Sequence, residues 1–451
     1  MSRLLPLLPD LPDDAPVSRC HGRPVSRAAL VRQVEAVART LPDTDAAINL
    51  CLDRHWFAVG LLACIQRGIL TLLPNSNAPL HLADLCQRHP GAIALGDQAE
   101  PLLSCSPWVR VDEAGAARAG APTPTPLASR PAGQTIARFY TSGSTGEPKA
   151  CDKTLGHLLA GHHAAVARIH ALTGGPCPVV GTSSFRHMFG FEATVTLPLW
   201  GGGSLSPDTP FFPADVAQAL ADLPAPALLV TTPYHLRKML EADIAFPRCA
   251  GLLSATAPLS PALAAQAEAR FQAPLLEIYG STELGMMATR RASQDSHWQL
   301  LDGFALRSTE SGFEASGPAL AQPQQLHDLI EPLDATRFRL IDRSSNLINV
   351  VGKRSSLGFL NQVLQGLPGV VDGVFCVPPG STHHDVARLA AFVVAPGLTP
   401  PDIAAGLRAH VDPVFLPRPI IMLPALPRDA NAKLPAAALD ALMTQHLAAK
   451  P

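Results

Sequence analysis

The most informative stretch of the chain is Phe139-Tyr140-Thr141-Ser142-Gly143-Ser144-Thr145-Gly146-Glu147-Pro148-Lys149. It combines hydroxyl side chains and glycines with a lysine. Glycines let backbone N–H groups approach a polyanion closely, hydroxyls add neutral donors, and the lysine adds a positive charge. These residue types predict a loop that binds the phosphates of a nucleoside triphosphate. The predicted ligands are Thr141, Ser142, Gly143, Ser144, Thr145, Gly146 and Lys149.

This loop differs from the best-known phosphate-binding loop. The Walker A spacing requires a second glycine five residues after the first, and Pro148 stands five residues after Gly143. Taken alone, the stretch is equally compatible with a Ser/Gly-rich surface linker. Its context favours phosphate binding, because residues 135–140 read as a strand and residues 155–172 as a helix. Loops between a strand and a helix commonly bind phosphates.

The bulk composition predicts a large globular chain. Its 451 residues correspond to roughly two to four domain-sized units. Hydrophobic residues make up 47% and charged residues 16%, which allows large cores. A net charge of -2 leaves no electrostatic footprint for nucleic acid or an anionic membrane, and the apolar runs are too short to span a bilayer. Nine scattered cysteines without a C-x-x-C pair predict reduced thiols and a cytoplasmic protein.

The middle of the chain alternates strands and helices. Residues 227–231, 251–254 and 275–279 read as strands. Thr232-Pro233 and Ser260-Pro261 read as helix starts between them. This order predicts an α/β fold with a parallel sheet and right-handed crossovers, in which ligands bind beyond the carboxyl ends of the strands.

A second motif, Tyr279-Gly280-Ser281-Thr282-Glu283, stands at such a strand end. Tyr279 offers a flat face for a base, and Gly280 lets the backbone pass close to a nucleotide. Thr282 can donate to a phosphate, and Glu283 is a hard oxygen ligand for Mg²⁺. The alternative is an ordinary turn with a surface glutamate.

The two motifs, in this order, resemble those of the adenylate-forming superfamily, which includes acyl- and aryl-CoA synthetases, peptide-synthetase adenylation domains and luciferase. The resemblance runs from about residue 135 to the end of the chain. It implies that ATP and Mg²⁺ activate a small carboxylic acid, and that CoA or the phosphopantetheine arm of an acyl carrier protein then accepts the acyl group. It also implies a large N-terminal α/β domain over 1–342, with parallel and mixed sheets flanked by helices, and a small mobile α+β domain over 343–451.

Further site residues are implied by this resemblance alone. In the acid pocket it places His187 and Phe191 from one segment, and Thr256 and Ala257 from another. In contact with the nucleotide it places Asp328 and Arg343. The remaining positions are the hinge Ser345 and the catalytic Lys433. The alternatives are a histidine within a core helix, a solvent-facing aspartate and an ordinary loop lysine.

Departures from the family pattern keep a second hypothesis open. Ala255 and Thr256 stand where glycines are usual, and Ala432 replaces the glycine before Lys433. A non-catalytic relative that binds a nucleotide or acyl group is therefore the alternative to a ligase. Arg186 stands where amino-acid-activating relatives carry an aspartate, and its charge would repel an ammonium group. The predicted substrate is an aryl or medium-chain acid, with its identity and the acceptor thiol left open.

Overall fold

The computed structural model describes residues 3–74, 77–104, 106–118, 126–142, 148–310, 312–343, 347–350, 353–378, 388–429 and 434–447. It divides into two compact units. The first comprises Met1–Leu306 with Ala315–Gln324, and the second Arg307–Glu314 with Gln325–Pro451. The second unit thus includes residues that precede the predicted boundary between 342 and 343. The boundary between residues 342 and 343 remains a prediction of where the mobile C-terminal domain begins.

The strands are numbered in chain order. They are β1 (Leu4–Leu5), β2 (Pro16–Cys20), β3 (Arg23–Ser26), β4 (Ala46–Asn49), β5 (Leu70–Leu73), β6 (Ile93–Gly96), β7 (Trp108–Arg110), β8 (Arg130–Pro131), β9 (Thr135–Ser142), β10 (Pro148–Thr154), β11 (Pro178–Gly181), β12 (Ser204–Leu205), β13 (Leu228–Thr231), β14 (Gly251–Ser254), β15 (Leu275–Ser281), β16 (Gly285–Arg290), β17 (Trp298–Leu300), β18 (Ala305–Thr309), β19 (Gly312–Ser316), β20 (Gln324–Gln325), β21 (Asp328–Pro332), β22 (Arg337–Arg343), β23 (Leu347–Val350), β24 (Lys353–Ser356), β25 (Asp372–Cys376), β26 (Ala390–Val394) and β27 (Ile420–Met422).

The helices are numbered in the same way. They are α1 (Arg27–Thr40), α2 (Arg54–Arg67), α3 (Pro79–Arg88), α4 (Glu113–Arg118), α5 (Leu155–Thr173), α6 (Met188–Phe191), α7 (Leu197–Trp200), α8 (Pro213–Ala221), α9 (Pro233–Glu241), α10 (Pro261–Phe271), α11 (Leu357–Gly366), α12 (Pro400–Arg408) and α13 (Ala436–Leu447). A π-helical segment, Glu192–Thr196, joins α6 to α7, and a 3₁₀ turn covers Pro413–Phe415.

The first sheet has the strand order β10-β9-β5-β4-β6-β7. Its strands pair in parallel except at the β9–β10 hairpin. Helix α2 is buried on nearly all sides beside this sheet. The Asp53 side chain caps it by accepting from the N–H groups of His55 and Trp56, and Gly68 ends it at a φ of +74°.

The second sheet contains the predicted strand–helix alternation. Nine strands of the first unit follow the order β17-β16-β15-β14-β13-β11-β12-β2-β3, and β13, β14 and β15 pair in parallel. The predicted helix starts are also confirmed. Thr232 Oγ1 accepts from the His235 N–H at 3.4 Å, and Ser260 Oγ accepts from the Leu263 N–H at 3.2 Å.

The predicted strand–loop–helix setting of the first motif is wrong in one respect. Strand β10 lies between the loop and helix α5, so the loop joins two antiparallel strands. Sequence periodicity misses β10 because its Pro-Lys-Ala-Cys-Asp-Lys-Thr composition is not apolar on either face. Its backbone pairing with β9 stabilises it instead.

The second unit combines strands and helices around its own core. Strands β25, β26 and β27 form one sheet, in which β25 and β26 are antiparallel. Helices α11 and α12 contribute Leu360, Leu364 and Leu407 to this core. Among the residues that the structure describes, no helix is both long enough and apolar enough to cross a membrane.

Candidate functional site

The β9–β10 hairpin places the two ends of the predicted phosphate loop side by side. Thr141 and Ser142 end β9, and their Cα partners across the hairpin are Lys149 and Pro148. Lys149 is exposed at the start of β10. Residues 143–147, with the predicted ligands Gly143, Ser144, Thr145 and Gly146, lie outside the described residues.

Strand β10 contacts the second motif directly. The Lys153 side chain is 4% exposed, and its Nζ donates to the carbonyl oxygen of Glu283 at 2.8 Å. The Cys151 thiol donates to the carbonyl oxygen of Thr282 at 3.4 Å. The structure therefore brings the strand that follows the first motif into contact with the second motif, through residues that lie 130 positions apart in the sequence.

The turn after β15 is held by its own side chains. Ser281 Oγ donates to Glu283 Oε2 at 2.9 Å and accepts from the Leu284 N–H at 3.2 Å. A Cβ atom at Gly280 would lie 2.0 Å from the carbonyl oxygen of Gly285. Glycine is thus required at 280 by the approach of the neighbouring strand, a reason that the sequence did not reveal. The predicted close approach of a nucleotide there remains a prediction.

Tyr279 is more enclosed than the prediction of a stacking platform suggested. Its side chain is buried, and its ring centroid lies 5.5 Å from that of Trp298, at an interplanar angle of 56°. The Tyr279 ring therefore packs in part against Trp298, and its stacking on adenine remains a prediction. Sequence reasoning missed Trp298, which comes from strand β17.

Sequence reasoning also missed a carboxylate beside the turn. Glu192 begins the π-helical segment, and its Oε2 accepts from the Met286 N–H at 3.1 Å. Burial raises the pKa of Glu192 to about 7, against the lowering effects of the Lys153 charge and of the Met286 hydrogen bond. Neither residue type nor spacing distinguished Glu192 and Lys153 from surface charges in the sequence.

The structure places the predicted pocket residues His187 and Phe191 at the two ends of α6. His187 directly precedes α6 and is half-buried. Phe191 exposes none of its surface, and its ring lies 5.3 Å from Phe139 and 6.3 Å from Phe57 between centroids. Phe191 is therefore a core residue in this structure, and its contact with the acid remains a prediction.

Arg186 is directed towards the first sheet. Its guanidinium donates to Asn77 Oδ1 at 2.6 Å and to the carbonyl oxygen of Cys51 at 3.1 Å. Burial lowers the pKa of Arg186, and nearby Cys51 and Asp97 oppose this effect. The structure thus accounts for Arg186 through these contacts, and repulsion of a substrate ammonium remains a prediction.

The turn after β14 carries an unusual backbone conformation. Thr256 is half-buried at a φ of +80°, a region that β-branched residues rarely adopt. Ala257 beside it is exposed. Both predicted pocket residues therefore lie at the carboxyl end of the parallel strands, where ligands bind in such sheets.

In the second unit, the hairpin β21–β22 brings two predicted nucleotide contacts together. Asp328 and Arg343 are Cα partners across it, and Asp328 is half-buried. The predicted hinge Ser345 and catalytic Lys433 lie outside the described residues. The segment that leads to Lys433 is anchored by Arg428, whose Nε and Nη2 donate to Asp372 at 2.6 and 2.7 Å.

Residues 12–311 match the model of the family described as "AMP-binding enzyme". The chain belongs to this AMP-binding enzyme family. A curated relative, 4-coumarate–CoA ligase of Rhodobacter capsulatus, is 33% identical over 275 residues, which cover 61% of this chain and 67% of the relative. The 4-coumarate–CoA ligase of Halorhodospira halophila is 28% identical over 308 residues, covering 66% of this chain and 74% of the relative.

Solved structures show the same fold for this AMP-binding enzyme. ATP-bound MatB from Rhodopseudomonas palustris superimposes with a TM-score of 0.82 at 19% identity, covering 97% of each chain. The anthranilate CoA ligase AuaEII, in complex with anthranoyl-AMP, gives a TM-score of 0.79 at 14% identity, covering 99% of each chain. The predicted superfamily, the α/β fold class and the general activity, ATP-dependent AMP-forming ligation of an acid to a thiol, are confirmed.

Proposed function

We propose that this AMP-binding enzyme activates an aryl acid with MgATP and transfers the acyl group to the thiol of CoA or of a carrier-bound phosphopantetheine. The single observation that carries the site assignment is the contact of β10 with the Thr282–Glu283 turn. It places a strand that continues from the phosphate loop against the predicted Mg²⁺ ligand. The aryl class is supported by the relatives named 4-coumarate–CoA ligase.

The first step forms the acyl-adenylate. A carboxylate oxygen of the acid attacks the α-phosphorus of ATP, and the bond from that phosphorus to the bridging oxygen of pyrophosphate breaks. Residues 141–149 hold the departing phosphates, and the Thr282 hydroxyl donates to the α-phosphate. These groups act by positioning the reactants and by stabilising negative charge.

The donor set around the turn fits a magnesium ion. The carboxylate of Glu283 is a hard oxygen ligand of the kind that Mg²⁺ prefers, and a Mg²⁺ ion that binds a nucleotide needs only one or two protein carboxylates. When bound, Mg²⁺ neutralises the charge that develops on the pyrophosphate. Ser281 Oγ orients the Glu283 carboxylate by its 2.9 Å hydrogen bond.

In the second step the thiolate sulfur attacks the acyl carbon, and AMP leaves with the electrons of the broken C–O bond. Lys433 stabilises the charge that develops in the first step. A rotation of the small domain about Ser345 then moves Lys433 away before the thiol attacks. Asp328 and Arg343 hold the ribose and its phosphate from adjacent strands. His187, Thr256 and Ala257 line the acid pocket.

A reducing, cytoplasmic location belongs to the same proposal. Burial raises the pKa of the Cys64, Cys249 and Cys376 thiols to about 12. Such thiols pack as small apolar groups and are poor nucleophiles.

The test is pyrophosphate release by the full chain over a panel of aryl and aliphatic acids with ATP and Mg²⁺. We expect release with aryl acids, followed by thioester formation when CoA or a phosphopantetheinylated carrier protein is added. Supplying CoA and the carrier protein in separate reactions shows which of the two accepts the acyl group. ATP binding without pyrophosphate release from any acid would overturn the proposal in favour of a non-catalytic nucleotide-binding protein.

A further inference from the structure

Two charged side chains from distant elements hold the same short turn. Lys153 of β10 donates to the carbonyl oxygen of Glu283 at 2.8 Å. Glu192 of the π-helical segment accepts from the Met286 N–H at 3.1 Å. The turn of residues 283–286 is thereby bound at its first carbonyl and at its last N–H.

The turn is shaped to receive the carboxylate. Gly285 has a φ of +68°, and a Cβ atom there would lie 2.8 Å from Glu192 Oε1. Any other residue at 285 would thus meet backbone strain and would displace the Glu192 carboxylate from its present position. Glu192 also sits in π-helical geometry, which is rare and occurs frequently at functional sites.

Burial of these charges carries a cost that a purely structural contact does not require. Lys153 is 4% exposed, and removing an ammonium group from water is expensive unless its hydrogen bonds are replaced. An apolar side chain at 153 would fill the same interior position without that cost. These two buried ionisable side chains are therefore better explained by the turn that they position than by a contribution to stability.

We propose that Lys153 and Glu192 are positioning residues, which fix the turn so that the Thr282 hydroxyl and the Glu283 carboxylate meet the magnesium-bound nucleotide. Lys153 does so from strand β10, and Glu192 from the π-helical segment. This inference rests on the proposed function. Neither residue needs to touch the reacting atoms.

Adenylate formation depends on the exact positions of the Thr282 hydroxyl and the Glu283 carboxylate. Groups that stabilise a transition state must lie within about 0.5 Å of their productive position. Mutation of residues that orient a metal ligand typically lowers metal affinity or activity by about 10–100-fold. Loss of either contact frees one end of the turn. The step that uses Thr282 and Glu283 is then impaired, whereas thiol transfer from a finished adenylate is spared.

The experiment compares Lys153→Met, Glu192→Ala and Glu192→Gln with the wild type in ATP–pyrophosphate exchange at varied Mg²⁺. We expect Lys153→Met and Glu192→Ala to lose about 10–100-fold in exchange and to require more Mg²⁺ for half-maximal rate. Glu192→Gln keeps an acceptor for the Met286 N–H and should retain more activity than Glu192→Ala. Thioester formation from the pre-made adenylate of the same acid should stay near the wild-type rate.

The surface pair Lys238 and Glu241, 2.7 Å apart on α9, supplies the matched controls. Lys238→Met and Glu241→Gln should leave both half-reactions and the Mg²⁺ dependence unchanged. If the buried variants lost both half-reactions equally, with an unchanged Mg²⁺ dependence, the two residues would be structural and the inference overturned.

Calorimetric titration of ATP with and without Mg²⁺ separates this inference from the proposed function. Absence of exchange in the wild type would overturn the proposed function alone. The inference would still be supported if Lys153→Met and Glu192→Ala weakened only the magnesium-dependent part of ATP binding. It would be overturned if they bound MgATP as tightly as the wild type.

Discussion

Buried Glu277 and half-buried Arg290 form an ion pair in which Glu277 Oε2 and Arg290 Nε are 2.6 Å apart. They are Cα partners across the β15–β16 hairpin. Glu277 Oε1 accepts from the Leu259 N–H at 3.2 Å, and Arg290 Nη2 donates to the Leu259 carbonyl at 3.3 Å. Both polar groups of Leu259 are satisfied, so the pair holds the end of the turn that carries Thr256.

Removing one partner of this pair should be costly. Burial raises the pKa of Glu277 to about 6, and Arg290 counteracts that rise. Arg290→Met keeps the apolar stem but leaves the carboxylate without its partner, which should lower the free energy of unfolding by about 3–5 kcal/mol. The double variant Glu277→Gln/Arg290→Met should recover part of this loss, as measured by urea unfolding. Equal stability of the single and double variants would show that the charge of Glu277 is not what matters.

Glu283 should be essential for adenylate formation. Glu283→Gln removes the charge of the proposed Mg²⁺ ligand but keeps its size. We expect about 10²–10³-fold slower pyrophosphate exchange, the scale of one lost transition-state contact. The exposed Glu241→Gln serves as the control. Near-normal exchange by Glu283→Gln at saturating Mg²⁺ would exclude the metal-binding role.

Thr256 should lower the free energy of unfolding while it shapes the acid pocket. Its φ of +80° is strained for a β-branched residue, and glycine would adopt it freely. Thr256→Gly should raise the free energy of unfolding by about 1 kcal/mol and should change which acids are used, with little effect on KM for ATP. Thr256→Val keeps the strain and loses only the hydroxyl. A less stable Thr256→Gly variant would mean that contacts of the threonine outweigh its strain.

Lys433 should separate the two half-reactions. Step one joins an anionic carboxylate to an anionic triphosphate, and a nearby ammonium stabilises the added charge most when water is excluded. Lys433→Ala should therefore lose about two to three orders of magnitude in adenylate formation and little in thiol transfer from a pre-made adenylate. Lys433→Arg should be a poor substitute because its planar guanidinium differs in shape from an ammonium. If Lys433→Ala slowed both half-reactions equally, the result would contradict a rotation of the small domain between the two steps.

His162 should make stability depend on pH. Burial lowers its pKa from 6.5 to about 4, reinforced by nearby His163 and His170, and its ring packs against Trp200. The unfolded chain then binds more protons than the folded one, so stability falls as the pH drops from about 6.5 towards 4. Between pH 7 and pH 5 this one group should cost about 2 kcal/mol. His162→Phe should lose that much less stability over the same range in denaturant unfolding. An identical pH dependence of wild type and variant would contradict the assignment.

The sequence alone determined the features that depend on neighbouring residues. The helix starts at Thr232 and Ser260 were predictable because a cap is formed by a side chain and a backbone N–H three residues apart. The parallel order of β13, β14 and β15 followed from alternating apolar segments and the handedness of crossovers. The Tyr279–Glu283 motif identified the chemistry because its residue types carry it without reference to the rest of the chain.

The distant residues that support the site became identifiable through the tertiary contacts. Strand β10 exists through its pairing with β9, and Lys153 and Glu192 were not distinguishable from surface charges until the chain placed them on one turn. Gly280 and Gly285 are likewise explained by contacts across a hairpin and with a helix. The physical reason is common to these cases. A buried charge or a close backbone approach is stabilised by partners that only folding brings within hydrogen-bonding distance.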